Sequence, residues 1–529
     1  MRCSRRLNRW FWLVFSAVIA GCAVNPVTGQ RELNLVSESQ ELAIGARQFL
    51  PSRQEQGGDY NAEPEVVAYV REVGQKLAAV ADRKLPYEFV VLNNDTPNAW
   101  ALPGGKIAVN RGLLTRLDSE AELAAVLAHE IVHAAARHGA QQLQRGLLMQ
   151  GAVLAASAAA SSSRYGGLAG TAASLGSVLL SRAYGRDAER EADYYGMRYM
   201  LRAGYDPWAA VRLQKLFVKL SKAHDPAWLG GLLATHPPSR ERVENNRREA
   251  EALTRGLRGR RLFVGAHAYQ RRMAGLLRAK PAYAAYRKGR KALKRGDAEA
   301  ALRLADEAID IEPREALFFA LRGEALRKLG RKRAALRAID RAVERNPDYF
   351  ALHVERGLLL HELGDDHAAR RAFERSIDQL PTATAYYALG LIAAGQGERE
   401  RAVKYLRVAS RARSEVGKRA RADLLRLDLA RHPERYVQAD IALDDDGYLL
   451  IVLRNRSASP LRDLLVLVGR RRGGGLAPLE RIPYHGVLKA GARATISTDI
   501  GPLSSRGELA RYGARVEGAE DGSTRRLRL

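Results

Sequence analysis

Two histidines separated by three residues carry the strongest chemical signal in this sequence. Residues 129–133 read His-Glu-Ile-Val-His. On a helix, this spacing places both imidazoles on one face and puts Glu130 about 100° around the axis, beside an open coordination position. Such a histidine pair is typical of zinc ligands, and the adjacent carboxylate can take a proton from water. The pattern therefore predicts a zinc-dependent hydrolase with His129 and His133 as metal ligands and Glu130 as the general base.

The predicted zinc ion, one per chain, needs a third protein ligand. The chain has two cysteines, Cys3 and Cys22, so a cysteine-rich metal site is excluded and the metal must use histidine and carboxylate. A Glu-Arg-Glu-Ala-Asp run begins at Glu189, and i,i+4 spacing puts Glu189 and Asp193 on one helix face. We predict that Glu189 binds the metal and that Asp193 accepts a hydrogen bond from a ligand imidazole, while Glu191 points elsewhere. The alternative is that these carboxylates are solvated charges on a helix surface.

The histidine pair needs a helix to present it. Ser119, followed three residues later by Glu122, forms a capping box, and the apolar spacing beyond it predicts a helix from about residue 120 to 143. His138 follows His133 by five residues and falls about 140° from the ligand face, so we predict that it does not bind the metal.

A β-hairpin is predicted upstream of this helix. Apolar residues 99–102 and 107–109 flank a Pro-Gly-Gly turn. The first strand is predicted to be an edge strand that can pair with an extended substrate backbone. The residues of this substrate edge strand are Asn98, Ala99, Trp100 and Ala101.

The composition is that of a folded, multidomain and strongly basic protein. Apolar residues make up 46% and charged residues 27% of the 529 residues, which excludes a collagen-like or wholly disordered chain. The length predicts three or four domains. The net charge of +27 is spread along the chain and favours a general surface property over a nucleic-acid site, so no nucleic-acid partner is expected.

The N-terminus predicts export. A basic segment is followed by an apolar run over residues 10–21, which is too short to span a bilayer and has the length of a signal-peptide core. The run ends Ile-Ala-Gly-Cys at Cys22 and resembles a bacterial lipobox, which implies lipidation of Cys22. Ala23 after this cysteine favours the outer membrane by resemblance to sorted lipoproteins. The alternative is a plain secretory signal that leaves Cys22 as a free thiol.

An internal repeat begins near residue 282. Four columns of small or helix-ending residues recur every 34 residues: Gly289, Gly323 and Gly357; Gly296, Gly330 and Gly364; Ala301, Ala335 and Ala369; Pro313, Pro347 and Pro381. The period resembles the tetratricopeptide repeat, in which paired helices stack into a solenoid with a concave surface. A fourth unit, one residue short, completes the predicted repeats.

Two further segments differ in composition from these regions. Residues 147–180 contain two small-residue apolar stretches, each too short for a membrane span. They predict helices packed against the catalytic region or, alternatively, a flexible lid or a membrane-dipping hairpin. Residues 436–529 contain β-rich runs separated by turn residues and predict a small β-sandwich, in which no catalytic motif is present.

Four motifs in order resemble one peptidase family. They are HEIVH, EREAD followed by YYGMRYMLRAGYDP, the upstream NAWALPGGKIAVNRGLL and the downstream THPPSRERV. Together they resemble, over about residues 35–250, the family that contains the CaaX prenyl protease, the HtpX membrane protease and the periplasmic β-barrel-assembly-enhancing protease. The resemblance implies that Glu189 is the third ligand. The lipobox and the repeats resemble the periplasmic branch, whereas the C-terminal β-region departs from it.

His236 precedes two prolines, at the place where the periplasmic branch has a histidine on a mobile loop that caps the zinc. The resemblance implies a gate or a transition-state donor. The alternative is a simple turn residue, because one histidine beside prolines is a weak signal by itself.

These observations predict a protein of several domains that follow one another along the chain. The predicted parts are a signal peptide (1–21), a tether with an N-terminal helix (22–60), a mainly α, gluzincin-like zincin protease domain with a small β-hairpin (61–255), a connecting helix (256–281), four tetratricopeptide repeats forming an α-solenoid (282–431) and the β-sandwich-like region (436–529).

The predicted function is that of a zinc-dependent endopeptidase of the bacterial cell envelope. It would degrade misfolded or stalled envelope proteins, with the repeats binding substrates or partners such as the outer-membrane assembly machinery. The expected location is the periplasm, anchored through lipidated Cys22 at the outer membrane. The alternative is a tetratricopeptide scaffold or chaperone for envelope proteins whose protease is latent and gated.

Overall fold

The structure is a computed structural model that describes residues 22–146, 184–222, 231–257, 261–503 and 507–522. The chain divides into two compact units, Met1–Leu352 and His353–Leu529. The predicted signal peptide and the small-residue segment 147–180 lie outside the described residues. Among the helices of the described ranges, none combines the length and the apolar character needed to cross a bilayer.

The first unit begins with a short ribbon, a capped helix and a small sheet. Its elements are β1 (Cys22–Val24), β2 (Arg31–Leu33), α1 (Glu38–Glu55), α2 (Pro64–Ala78), β3 (Glu88–Leu92), β4 (Ala99–Leu102) and β5 (Lys106–Asn110). Ser37 and Gln40 form a capping box at the start of α1. A side chain at Gly45 would place its Cβ only 1.8 Å from the Pro103 carbonyl oxygen, so glycine lets α1 lie directly on the turn after β4.

The small sheet has the strand order β3-β5-β4, with β3 parallel and β4 antiparallel to β5. The predicted hairpin is therefore confirmed, and its turn uses Gly104 and Gly105 at φ of 79° and 80°. Strand β4 lies at one edge of the sheet, as expected, and its side chains are buried.

The helix that carries the histidine pair is shorter than the sequence predicts. After α3 (Arg111–Leu114), α4 spans Glu120–Ala135, and Ser119 caps it by accepting a hydrogen bond from the Glu122 N–H. The prediction of one helix to residue 143 is wrong, because a turn at 136–137 interrupts it before a second helical segment over 138–146. Arg137 occupies the left-handed region at φ 63°, and its guanidinium donates a hydrogen bond to Glu41.

Four further helices complete the surroundings of the histidine pair: α5 (Arg186–Arg202), α6 (Trp208–Lys222), α7 (Leu232–Thr235) and α8 (Arg240–Thr254). Gly196 lets α5 approach the backbone of α4 closely, because a Cβ there would lie 3.3 Å from the His129 nitrogen. The core beneath them joins α2, the sheet, α4, α5 and α6 in one cluster of buried apolar residues.

Helical repeats follow within the first unit. The helices are α9 (Ala266–Arg272), α10 (Ala274–Arg278), α11 (Lys280–Lys294), α12 (Ala298–Ile311), α13 (Ala316–Lys328) and α14 (Lys332–Arg345). A Cβ at Gly289 would lie 2.6 Å from Leu321, and one at Gly323 would lie 2.6 Å from Ile339. The 34-residue glycine column is thus explained by close helix packing, as the predicted repeat requires.

The second unit contains more repeat helices and a β-sandwich. Its elements are α15 (Phe350–Glu362), which includes the boundary, α16 (Asp366–Gln379), α17 (Ala383–Gly395), α18 (Arg399–Ala409), α19 (Glu415–Asp428), β6 (Val437–Leu443), β7 (Leu449–Asn455), β8 (Leu461–Arg472), β9 (Gly475–Tyr484), β10 (Arg493–Ser497) and β11 (Tyr512–Asp521).

Two antiparallel sheets, β10-β7-β6 and β11-β8-β9, enclose one apolar core at the end of the chain. The predicted fold class, a mainly helical protease region followed by a helical solenoid and a small β-sandwich, is confirmed by this order of elements.

Candidate metal centre

Four side chains predicted from the sequence converge at one point. His129 and His133 come from α4, Glu189 comes from α5, and His236 follows α7 directly. One ligand atom from each lies within 4.8 Å of the others. His129 Nε2 is 3.0 Å from His133 Nε2, and His236 Nδ1 is 2.8 Å from Glu189 Oε1. The convergence brings together residues up to 107 positions apart in the chain.

The spacing of these atoms suits a bound metal ion. Metal–ligand bonds of about 2.0–2.1 Å place the corners of a tetrahedron about 3.3 Å apart. Here His129 Nε2 lies 3.3 Å from His236 Nδ1, and His133 Nε2 lies 3.4 Å from Glu189 Oε1, whereas the distances of 3.0 Å between the two Nε2 atoms and 2.8 Å between His236 Nδ1 and Glu189 Oε1 are shorter. Imidazole nitrogens and a carboxylate oxygen at these separations can hold a divalent metal ion.

Glu130 lies beside this cluster, and its carboxylate is buried. Within the described part of the chain, neither of its oxygens has a hydrogen-bond partner, and Oε1 is 3.4 Å from His236 Nε2. Burial raises the pKa of Glu130 because the charged form is poorly solvated. A carboxylate with raised proton affinity, placed next to the cluster, is suited to accept a proton from a bound water.

Asp193 contacts the side of the His129 ring that faces away from the cluster. Its Oδ1 lies 3.1 Å from His129 Nδ1, so the hydrogen bond leaves Nε2 free to face the cluster. Although burial opposes the imidazolium, the hydrogen bonds with Asp193 and Glu189 raise the pKa of His129 to about 10. The two carboxylates therefore favour a cation, either a proton or a metal ion, at this position.

Arg242 of α8 is a buried member of the centre that the sequence reasoning missed. Its Nε and Nη2 donate hydrogen bonds of 2.7 and 2.8 Å to the two oxygens of Asp193, and Nη1 lies 2.7 Å from Glu189 Oε2. Despite the burial, Arg242 lowers the pKa of Asp193. The same guanidinium donates to the Pro237 carbonyl. Arg242 lies within the THPPSRERV motif, which is the sequence signal that could reveal it.

His138, which the spacing predicts not to be a ligand, contacts the His133 ring. Its Nδ1 lies 2.8 Å from His133 Nδ1, and its Nε2 lies 3.2 Å from Glu191 Oε2. Glu191 points away from the cluster, but its carboxylate contacts His138, which in turn contacts the His133 ring. Periodicity could not reveal this, because the turn after α4 redirects His138.

The predicted substrate edge strand lies near the centre through Tyr184. The Tyr184 ring stacks on His133 at a centroid distance of 3.9 Å, and its hydroxyl donates to the Ala101 carbonyl at 3.5 Å. Asn98 lies just before β4 with a buried Oδ1 that has no hydrogen-bond partner among the described residues. Cys22, by contrast, begins β1 and pairs with Leu33.

Comparison with known proteins agrees with this geometry. Residues 64–250 match the model of peptidase family M48, and residues 320–384 and 362–416 match a tetratricopeptide repeat model. The mitochondrial metalloendopeptidase OMA1 of Schizosaccharomyces pombe is 33% identical over 252 residues, which cover 45% of this chain and 71% of that protein.

Two bacterial relatives share the same region. The β-barrel assembly-enhancing protease of Yersinia pestis is 31% identical over 41% of this chain and 45% of its own length. Its counterpart in Escherichia coli K12 is 32% identical over 36% of this chain and 40% of its own length. The chain thus matches less than half the length of these two relatives. The family model and the similarity to OMA1 agree with the converging ligand set. The chain therefore belongs to peptidase family M48.

Proposed function

We propose that this chain is a zinc-dependent endopeptidase of the bacterial cell envelope that degrades misfolded or stalled envelope proteins. One observation carries the proposal: in an M48 chain, three metal-ligating side chains converge beside a buried carboxylate, Glu130, that has no hydrogen-bond partner in the described residues. Metal-dependent peptide hydrolysis uses this combination of a metal site and a base.

His129, His133 and Glu189 would hold the ion. Bound there, zinc would lower the pKa of water and polarise the scissile carbonyl. Glu130 accepts the proton of the attacking water at its carboxylate and passes it to the leaving amine. Its raised pKa supports both steps, because the carboxylate must hold the proton between them.

The neighbours of the ligands keep them in place. Asp193 orients the His129 ring, and Arg242 orients Asp193 through two parallel hydrogen bonds. On the other side, His138 contacts the His133 ring and is itself held by Glu191. Fixed ring orientations reduce the cost of assembling the ligand set when the ion binds.

His236 acts as a gate in this proposal. Its Nδ1 lies 3.3 Å from His129 Nε2 and 2.8 Å from Glu189 Oε1, so on a bound ion it would compete with the attacking water for a coordination position. These distances support the gate over the simple turn residue. The same distances also support the alternative function, in which the chain is a repeat-based scaffold or chaperone with a latent protease.

The repeats and the lipid anchor complete the proposal. Helical repeats of this type bind proteins, and the two bacterial relatives are named for β-barrel assembly, so we propose envelope proteins and the outer-membrane assembly machinery as partners. Cys22 would anchor the chain at the outer membrane, facing the periplasm. Because Asn25 already donates a hydrogen bond to the Ala136 carbonyl, lipidated Cys22 would hold the protease unit close to the membrane surface.

Loss of a predicted ligand should remove the metal. We expect Glu189→Ala and His133→Ala to lower bound zinc well below one ion per chain in elemental analysis, because each removes one of three ligands. Asp193→Ala should weaken affinity about 10–100-fold in chelator competition. Asp187→Ala, on the exposed first turn of α5, is the matched control and should retain the ion. Full zinc occupancy in Glu189→Ala would assign the third ligand elsewhere.

Loss of the base should remove activity without removing the metal. We expect Glu130→Gln to retain zinc and to lower casein cleavage by the lipid-free full chain by about 10²–10⁴-fold, because the amide cannot accept the proton. Glu241→Gln, in an exposed ion pair with Arg190, should cleave normally. A Glu130→Gln protein with wild-type activity contradicts the mechanism.

Removal of the gate should increase basal cleavage. We expect His236→Ala to raise casein cleavage and to cause self-cleavage while zinc content stays constant, because the water position is vacated. The neighbouring Thr235→Ala is the control. A fall in kcat with unchanged zinc would instead make His236 a transition-state donor, and unaltered activity and metal would leave it a turn residue.

Loss of the predicted lipidation site should release the protein from membranes. We expect Cys22→Ser to appear in the soluble fraction, whereas Cys3→Ser, inside the predicted signal peptide, should remain in the membrane fraction. Retention of Cys22→Ser after a carbonate wash would argue against the lipid anchor and favour membrane contact by residues 147–180.

A further inference from the structure

The two-stranded ribbon β1–β2 presents apolar side chains on its outer face. Its register pairs Cys22 with Leu33 and Val24 with Arg31. Paired residues of an antiparallel ribbon share a face with the alternate residues of each strand, so Val24, Arg31 and Leu33 lie on one face, and Cys22 occupies a register position on it. Val24 is 59% exposed and Leu33 is 38% exposed, and Leu35, two residues further along, is 48% exposed.

The opposite face of the ribbon is polar and is bound to the protein. Glu32 accepts a hydrogen bond of 2.9 Å from Asn25 and one of 2.6 Å from Gln141. Asn25 and Gln141 also each donate at 3.2 Å to the carbonyl of Ala136, directly after α4. These bonds fix the polar face inward, so the ribbon cannot turn over without losing them.

This orientation of the ribbon is the reverse of the usual one. A sheet with one solvated face normally turns its apolar side chains to the core and its polar side chains to water. Here the apolar side chains face outward, and their transfer from water into a second apolar phase would be favourable. A group of exposed apolar side chains, as opposed to single scattered ones, is typical of a surface that contacts a partner or a membrane. The outer face of the ribbon is therefore suited to contact with an apolar surface outside the chain.

The predicted lipid anchor identifies that surface as a bilayer. Cys22 belongs to β1, two residues before Val24, and two extended residues span at most about 7 Å. Acyl chains on Cys22 would therefore bring Val24 to the bilayer boundary, where the apolar face of interfacial segments is buried about 5–10 Å deep. Arg31, opposite Val24, can place its guanidinium at the lipid phosphates while its stem follows the apolar face. Apolar side chains, one arginine and an adjacent acyl chain together match the chemistry of a phospholipid surface.

We propose that the outer face of the β1–β2 ribbon enters the headgroup region of the membrane and fixes the orientation of the protease unit. The residues of this ribbon face are Val24, Arg31 and Leu33, with Leu35 beside them. The inference rests on the proposed lipid anchor and deepens it. An acyl chain alone is a flexible tether, whereas a second contact with the bilayer restricts how the anchored unit can rotate.

This contact would place the metal centre near the membrane. The ribbon is bound at Ala136, three residues after His133, and three residues rise about 4.5 Å along a helix axis. The end of α4 that carries the metal ligands is therefore the end that faces the bilayer. Substrate chains close to the membrane surface would lie within reach of the centre.

The first experiment measures the depth of the ribbon face in vesicles. Cys3 lies in the predicted signal peptide and Cys22 would carry the lipid, so an introduced cysteine is the only free thiol of the mature protein. Leu33→Cys or Leu35→Cys, in lipidated full-length protein, is labelled with a polarity-sensitive fluorophore and placed in vesicles of phosphatidylethanolamine and phosphatidylglycerol. Emission should shift to shorter wavelength and should be quenched by spin-labelled lipids.

Gln270→Cys is the matched control for the depth measurement. Gln270 is exposed and lies beside Asp118, just before α4, whereas the ribbon is bound after the other end of that helix. Its label should keep the emission that it has without vesicles and should escape quenching. A label at Leu33 that behaves like the label at Gln270 would overturn the inference.

The second experiment tests the ribbon face without the anchor. Mature full-length protein with Cys22→Ser carries no lipid, and vesicles of phosphatidylcholine have no net charge, so the positive charge of the chain does not drive binding. Replacement of three apolar residues by serine should lower the vesicle partition coefficient at least about tenfold, because each loses the transfer of an exposed side chain. The substitutions in this triple-serine protein are Val24→Ser, Leu33→Ser and Leu35→Ser. The matched control, Leu479→Ser with Val487→Ser, removes two other exposed apolar side chains and should leave partition unchanged.

The outcomes separate this inference from the proposed function. Equal partition of the parent and the triple-serine protein, or no partition of the parent, would overturn the ribbon contact even if casein is cleaved. If mass spectrometry finds Cys22 unmodified in the mature protein, the proposed anchor fails, and the partition experiment alone decides about the ribbon face. The triple-serine protein should unfold at the same temperature as the parent, because its substitutions are exposed, and if it does not, the depth measurement decides.

Discussion

Arg242 compensates the buried negative charge on which the metal centre is built. Asp193 and Glu189 are both buried, and burial of a carboxylate is costly without a partner of opposite charge. The guanidinium contacts both side chains, and removal of one member of such a buried pair typically costs about 3–5 kcal/mol. Arg242 therefore fixes the position of Glu189 directly and the orientation of His129 through Asp193.

The end of α4 is a second constraint. Because the helix stops at Ala135 and Arg137 adopts a left-handed conformation, the chain turns back and brings His138 against His133. Glu41, buried in α1, holds Arg137 and also pairs with Arg83. The N-terminal helix thus supports the geometry of the His133 side of the centre, although it contributes no ligand.

Local patterns predicted the parts of the site that local structure determines. The i,i+4 spacings of His129–His133 and Glu189–Asp193 are properties of single helices, and the glycine columns follow from repeated packing of neighbouring helices. The contacts of Arg242 depend on how distant helices meet, which no periodicity in one segment specifies. The helix end was missed for a similar reason, since Arg137 is held by Glu41, 96 residues away.

The segment that carries His236 has hydrogen-bonded contacts on both sides. After His236, two prolines have fixed φ, Ser239 caps α8, and Arg242 holds the Pro237 carbonyl. Before it, the short helix α7 is joined to Pro97, whose carbonyl accepts the Leu232 N–H at 2.9 Å. A displacement of His236 from the cluster must therefore also shift α7 relative to Pro97. Pro97 directly precedes Asn98 and strand β4. The helix before His236 and the segment that leads into β4 are therefore joined by a backbone hydrogen bond.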